Sequence, residues 1–366
     1  MHPLLRKFLG MNWLLFGLMM ALMLYGLYAI YSAMWFREVT YWKSQLAWML
    51  VCLPGFFVLS LIDYRWIRWG ALPIYLISVG LLLATRIIGV ERYGAKSWLD
   101  LGPVNFQPSQ TAIVGGILVL ALFLSQFRNL APILRILGCG IIAAAPCLLI
   151  LIQPDLGSVL VWGPVVLAMF FIAGIPKRYL IVMLLLVVIA IPLAVNFVLK
   201  PYQRDRIVAF MDPEVDPLGV SWNINQSLIA IGSGGAVGKG FKAPNTQNEL
   251  GFLPGTIVHN DFIFSVMGEQ HGFIGGVLLI AAFALLLLVG LQVAMTAEDD
   301  LGRLVAVGVV AMLFAHVFMN IGMTISVTPI TGLPLPLVSY GGSFLMITLM
   351  GFGLLQSIWV HRHVAR

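Results

Sequence analysis

Apolar runs follow one another almost from end to end of this sequence, each of about the 20 residues that an α-helix needs to cross a hydrocarbon core roughly 30 Å thick. Ten can be drawn, at 12 to 34, 45 to 62, 69 to 85, 109 to 127, 136 to 152, 157 to 174, 179 to 199, 262 to 294, 304 to 325 and 343 to 360. The composition agrees: of 366 residues 60% are apolar and 10% charged, far outside the range of soluble globular chains. The expected fold is an all-α polytopic membrane protein of about ten transmembrane helices, one integral-membrane domain over 1–366 with no room for a separate soluble domain.

An even number of spans puts both termini on one side. Lys and Arg are denser in the set of tails and loops that contains the termini than in the opposite set, so the positive-inside rule places both termini in the cytoplasm. The long loops, 86 to 108, 200 to 261 and 326 to 342, then face outward, and the polar motifs lie in or beside them. Residues 200–261 form the large extracytoplasmic loop between the seventh and eighth spans. Inside it Trp222, Ile224, Leu228, Ile229 and Ile231 recur at roughly helical spacing, which fits either a short interfacial or re-entrant helix or a loop packed on the bundle.

Cys52, Cys139 and Cys147 fall inside apolar runs and read as small buried hydrophobes, not as a disulfide framework. The first run follows Arg6 and Lys7 but lacks a small-residue cleavage site, so it reads as a retained span and not a signal peptide. The net charge of +6 suits anionic lipid or a phosphorylated substrate, and nothing resembles a nucleic-acid module.

Ionisable groups at membrane depth cost about 2.5 to 3.5 kcal/mol each on insertion scales, so the few present are candidates for function. Asp155, in the turn QPDLG, can cap the next helix through its orphan N–H groups or serve the chemistry. Asp261, in HNDFIF, stands where the large loop re-enters the membrane; it can cap that helix or, beside His259 and partly desolvated, act as a general base with a raised pKa. The glycines of IGSGGAVGKG, with Lys239 and Lys242, can make a merely flexible loop or offer N–H groups and ammonium charge to phosphate. Arg204 and Arg206 can clamp a pyrophosphate or anchor a helix at the headgroups. TGLPLPLVSYGGS, residues 331 to 343, is irregular backbone that would line a substrate cavity. His316 and Asn320 share a helix face and read as partners within the bundle, and Glu269 and His271 as structural. No protein-only metal cage is visible. A divalent cation is compatible with pyrophosphate chemistry, and no other cofactor is expected.

FQPSQ (106 to 110), QPDLG, YQRDR (202 to 206), DPLG (216 to 219), QSLIAIGSGGAVGKG (226 to 240), HNDFIF, NIGM (320 to 323) and the proline-glycine segment, in this order between the spans, resemble the RodA/FtsW/SpoVE (SEDS) family, its RodA branch most. The resemblance implies a ten-helix peptidoglycan glycosyltransferase that polymerises lipid II in cell-wall elongation, beside a class B penicillin-binding transpeptidase. It puts Asp261 on the family's essential loop carboxylate, the proposed base, and Asp155, Arg204, Arg206, Lys239 and Ser339 on other motif positions; His259 and Gln110 join them as candidate substrate-binding residues.

The family's QPSE-x-x-K reads QPSQTAI here, with Gln110 and Ile113 in place of Glu and Lys, and losing both partners is cheaper than stranding one buried charge. LPE-x-HTD reads LPGTIVHND, with Gly255 for Glu, Asn260 for Thr and about two extra residues before His259. A lipid II flippase, or a weakly active scaffold that recruits a transpeptidase, are the alternatives to an enzyme.

Overall fold

The computed structural model describes residues 3–92, 95–100, 102, 105–197, 201–212, 219 and 221–362. Within them the helices are α1 (Pro3–Leu9), α2 (Trp13–Met34), α3 (Tyr41–Leu61), α4 (Ile67–Ile88), α5 (Pro108–Gln126), α6 (Pro132–Ile152), α7 (Leu156–Ile172), α8 (Lys177–Phe197), α9 (Pro201–Met211), α10 (Trp222–Ser233), α11 (Ile263–Thr296), α12 (Asp300–Thr324) and α13 (Gly342–Val360). Eight described helices are long and apolar enough to cross a membrane, and α7 is a shorter apolar helix, so this is a multi-pass membrane protein. Local signals set the boundaries: Asn12, Asp155 and Asp299 each accept from a backbone N–H of the helix they precede, and prolines open α5 and α6, where a missing N–H costs nothing.

Burial sorts the spans into a centre and a rim. Helices α5 and α12 are each 78% buried over their most apolar window and α13 72%, whereas α6 is 22% buried and shows the surrounding medium the rest. The central three therefore carry the polar side chains that lipid would not tolerate, including Gln110, His316, Asn320 and Gln356. Between α4 and α5 the chain forms a small antiparallel sheet of β1 (Val90–Arg92), β2 (Ala95–Asp100) and β3 (Asn105–Phe106), which apolar periodicity does not foretell. The apolar stretch of the large loop is helical, as α10, and its Ser227 hydroxyl bonds the Thr324 carbonyl of α12 at 2.6 Å. A second helix of that loop, α9, carries YQRDR; the DPLG motif lies outside the described residues except at Gly219.

The glycine-rich segment is packed and hydrogen-bonded against α11. Helix α11 is broken at Gly272 (φ 64°, ψ −162°), which strips the helical partners from nearby peptide groups. The segment supplies them: Phe273 and Ile274 donate to the Gly235 and Ala236 carbonyls at 2.8 and 3.0 Å, and Lys239 and Gly240 donate to the Glu269 and Gln270 carbonyls at 2.9 and 3.0 Å. Approach is so close that a Cβ on Gly234 would lie 2.2 Å from the Gly268 oxygen and one on Gly238 2.1 Å from that of Gln270. The Lys239 ammonium sits 2.6 Å from the buried Glu269 carboxylate, which also accepts from Ser233 and from the Gln247 amide. Lys239 thus holds this splint to α11 through its ion pair with Glu269. His271, beside the break, is held between the hydroxyls of Tyr25 and Tyr28 on α2. Glu269 and His271 thus both bond to neighbouring elements beside the break.

At the opposite end of the bundle ion pairs tie the α11–α12 turn to two others: from the α3–α4 turn and the start of α4 Arg65 pairs with Glu298, as well as with Asp63 of its own turn, and Arg68 with Asp299 at 3.5 Å, and from the α5–α6 turn Arg128 pairs with Asp300 at 3.0 Å. The Tyr64 hydroxyl adds a bond to Asp299 at 2.9 Å.

Two glycines of the splint separate strain from collision. Both Gly238 and Gly240 have positive φ, but nothing lies within 4 Å of a Cβ on Gly240. Gly240→Ala is expected to cost the backbone strain alone, about 1 to 2 kcal/mol, and Gly238→Ala distinctly more, since it pushes the segment off α11; thermal unfolding in detergent ranks the two.

Candidate active site

Asp261 lies in the turn just before α11, half-buried, and its peptide group is fixed from both sides. Its N–H donates to the Ile257 carbonyl at 2.9 Å. Three successive carbonyls, of His259, Asn260 and Asp261, each take a donor from the C-terminal part of the chain: the Tyr340 amide at 3.0 Å, the Ser339 hydroxyl, and the Asn320 side-chain amide at 3.1 Å. The carboxylate itself accepts no hydrogen bond from the described residues. A Cβ on Gly332, at the exposed start of the proline-glycine segment, would lie 3.6 Å from its Oδ2. Desolvation raises the Asp261 pKa to about 7, and the charge of Arg206 on α9 works against that rise. Rigid backbone, an open carboxylate and a pKa near neutrality are what a general base requires.

The proline-glycine segment is mostly buried. Leu333, Leu335, Leu337 and Val338 pack into the core, and the Ser339 hydroxyl donates to Asn260 and accepts from the Leu335 amide at 2.9 Å. Irregular backbone persists here because protein buries and bonds it; Gly332 alone of this group reaches the surface beside Asp261. Ser339 therefore supports the loop that carries Asp261 and does not face outward.

His259 is likewise turned inward, 4% exposed, with its ring stacked on Tyr41 at 4.3 Å and tilted against Tyr340 at 5.3 Å. Burial, reinforced by the charge of Arg37, pushes its pKa down to about 4, so it is neutral at pH 7 and brings no charge to an anion. Arg204 on α9 is exposed and Arg206 half-buried, and Arg206 is the nearer to Asp261 in effect, since its charge is felt there. Among the described residues no group of three His, Cys, Asp or Glu side chains converges as a metal site would require.

Asp155 both caps α7 and anchors a polar cluster, so the two readings of it are compatible. Its Oδ1 accepts from the Ser158 amide at 3.1 Å, and its Oδ2 accepts from Gln107 at 3.0 Å, Ser109 at 3.1 Å and the Ser158 hydroxyl at 2.7 Å. From Ser158 the cluster continues to Gln110 at 3.4 Å and from Gln110 Oε1 to His316 Nε2 at 3.1 Å, while His316 Nδ1 lies 2.9 Å from the Met312 carbonyl. Gln110 is thus buried among protein partners. It also explains the departure noted in QPSQTAI: a neutral Gln110–His316 bond ties α5 to α12, and Ile113, fully buried, packs where a charge would need a partner. Gly255 has a similar cause. A Cβ there would lie 2.7 Å from Arg37 Nε, and the Arg37 guanidinium occupies that space, bonding Asn248 and the Leu253 carbonyl.

His316 and Asn320 stand one turn apart on α12, so that helix faces both carboxylates, His316 through Gln110 and Ser158 to Asp155, and Asn320 to the main chain of Asp261. Sequence reasoning placed both inside the bundle and had no signal for these contacts, whose partners lie 206 and 59 residues away.

The profile of a family described as Cell cycle protein, covering FtsW, RodA and SpoVE, matches residues 6–364. Peptidoglycan glycosyltransferase MrdB of Escherichia coli strain K12 is 39% identical over 346 residues, which cover 94% of this chain and 92% of the relative. Among solved structures, a chain of a peptidoglycan synthase complex that coordinates polymerization and crosslinking superposes with a TM-score of 0.82 at 33% identity, covering 97% of this chain and 99% of that one. The rod shape determining protein RodA of Thermus thermophilus superposes with a TM-score of 0.73 at 28% identity, over 97% of this chain and 98% of its own.

The Gln110–Ile113 account can be tested by restoring charge. Ile113→Lys alone buries an unpaired ammonium and is expected to lower stability by about 3 kcal/mol or more; adding Gln110→Glu is expected to recover much of the loss. Unfolding of the single and double variants in detergent gives both values.

Proposed function

The chain belongs to the FtsW/RodA/SpoVE family of cell cycle proteins, and we propose that it is a peptidoglycan glycosyltransferase that polymerises lipid II at the outer face of a bacterial cytoplasmic membrane during elongation and shape maintenance. The observation that carries this reading is the Asp261 carboxylate, which accepts no hydrogen bond among the described residues, on a backbone bonded from both sides and with its pKa near 7. In the reaction Asp261 takes the proton of the acceptor sugar's 4-hydroxyl as that oxygen bonds the anomeric carbon of the lipid-linked donor. The bond from that carbon to the donor's pyrophosphate breaks with inversion, and undecaprenyl pyrophosphate leaves. A pyrophosphate departs without a general acid and needs positive charge instead, a role that falls to Arg206 and the exposed Arg204 on α9. The donors around Asp155 keep that carboxylate oriented at the second wall of the site.

With both termini cytoplasmic and α7 and α8 completing ten spans, Asp261, Asp155 and α9 fall on the outer side, where lipid II is consumed. Relatives are named as glycosyltransferases, and a solved chain of like fold works in a complex coupling polymerization to crosslinking. That supports a class B penicillin-binding transpeptidase as partner. The candidate groups gather at one end of the bundle and not at its middle, which favours an enzyme over a flippase.

Purified protein with its partner, given lipid II, tests the reading. Asp261→Asn is expected to lower glycan polymerisation at least about 100-fold, the scale of a lost general base, and full activity in that variant would end Asp261's role. The acidic limb of the wild-type rate profile is expected near pH 7, because protonation silences the base. Ionising a carboxyl whose pKa is raised costs folding free energy above pH 7, a cost that shrinks as pH falls toward the ordinary carboxylate value. Asp261→Asn is therefore expected to melt higher than wild type at pH 8, with the gain narrowing at pH 5.

A further inference from the structure

Asn320 has the geometry of a part whose job is to hold another part still. Its side chain is fully buried near the outer end of α12, and its Nδ2 donates to two backbone carbonyls, of Asp261 at 3.1 Å and of Leu333 at 2.7 Å. These acceptors come from the two irregular segments that flank the candidate base, the turn before α11 and the proline-glycine segment. Because both are carbonyl oxygens, the amide has one allowed orientation: reversing it would set Oδ1 against two oxygens. In the allowed orientation Oδ1 meets no protein donor, a buried acceptor of the kind that costs stability. An apolar residue of similar size would avoid that cost but would supply neither hydrogen bond.

We infer that Asn320 is a positioning residue for glycosyl transfer, which clamps the Asp261 peptide to the Leu333 peptide and so fixes the gap between the Asp261 carboxylate and Gly332 in which the acceptor hydroxyl must sit. The inference rests on the reading of Asp261 as base. Two features make the clamp matter. Among the described residues the Asp261 carboxylate has no hydrogen bond of its own to orient it, so its place is inherited from its backbone, and of the two bonds on its own N–H and C=O one is local, to Ile257, and the other is the Asn320 clamp. Leu333 directly follows Gly332, whose φ of +68° turns the segment back beside the carboxylate, so the second clamped carbonyl is on the peptide that sets the facing wall. Since a misplacement of about 1 Å can cost about 100-fold in rate, a clamp of this kind acts on turnover more than on binding.

The test compares Asn320→Leu and Asn320→Asp with wild type and with Asp261→Asn, in the full-length protein with its partner and lipid II. Asn320→Leu removes both donors and keeps the number of side-chain heavy atoms, and Asn320→Asp keeps the shape while replacing the amide donor with carboxyl oxygen. Both are expected to lower kcat about 10- to 100-fold with KM for lipid II within about 3-fold, and Asn320→Leu, which adds no charge, to move the acidic limb of the rate profile below that of wild type as the freed Asp261 gains water. A structural residue would reduce the amount of folded enzyme and leave the limb where it was. Wild-type kcat in either folded variant, an unmoved acidic limb, or failure of both variants to fold would each overturn the positioning role. If Asp261→Asn is itself active, the reading of the base fails; if Asp261→Asn is dead while the Asn320 variants turn over normally, the clamp alone fails.

Discussion

A peptide group in hydrocarbon must find its hydrogen bonds within the protein, and this molecule departs from regular helix at the two places where that rule is hardest to obey. At Gly272 the helical ladder stops inside the longest helix, and a glycine-rich segment repairs it with four main-chain bonds and a buried Lys239–Glu269 pair. In the proline-glycine segment no helix forms, and donors and acceptors are exchanged with the turn that bears Asp261. The site exists because these repairs leave one carboxylate unbonded while the backbone beneath it is fully engaged. A looser repair would let the carboxylate drift, and a tighter one would neutralise it.

Charge is treated in the same way. Among the described ion pairs the most buried carboxylate is that of Glu269, which has a lysine, a serine and a backbone amide upon it. Where family members place a Glu and a Lys on α5, this chain uses Gln110 and Ile113, and the Gln110–His316 bond gives α5 and α12 a neutral link. Where they place a Glu after LP, Gly255 makes room for Arg37. Both substitutions exchange an ionised partner for hydrogen bonds to neutral acceptors, and both leave Asp155 and Asp261 in place.

Much of the fold was legible in the sequence because membrane spans are written as composition, and eight of the apolar runs form helices able to cross. The caps at Asp155 and Asp299 follow from local chemistry, as does the helix at 222–233. Asp261 could be singled out because a carboxylate at a re-entry point is costly. Illegible were the facts that depend on distant partners. Glu269 stands beside Lys239, Tyr41 and Tyr340 enclose His259, and His316 meets Gln110 across 206 residues, and no local pattern announces any of these partners. The glycines of 232–240 carry a signal for unusual backbone, but nothing local says that the backbone serves a helix 30 residues further on.

The interruption of α11 has a mechanical consequence. An intact helix passes a tilt at one end to the other through its ladder of hydrogen bonds; at Gly272 that ladder ends, and the short upper piece, Ile263–His271, is bolted to α10, the splint and α2 while the long lower piece stands largely against lipid. The splint bonds both sides of the interruption, accepting from Phe273 and Ile274 below and donating to Glu269 and Gln270 above, so the two pieces of α11 are joined sideways through residues 235–240 and not along the helix axis.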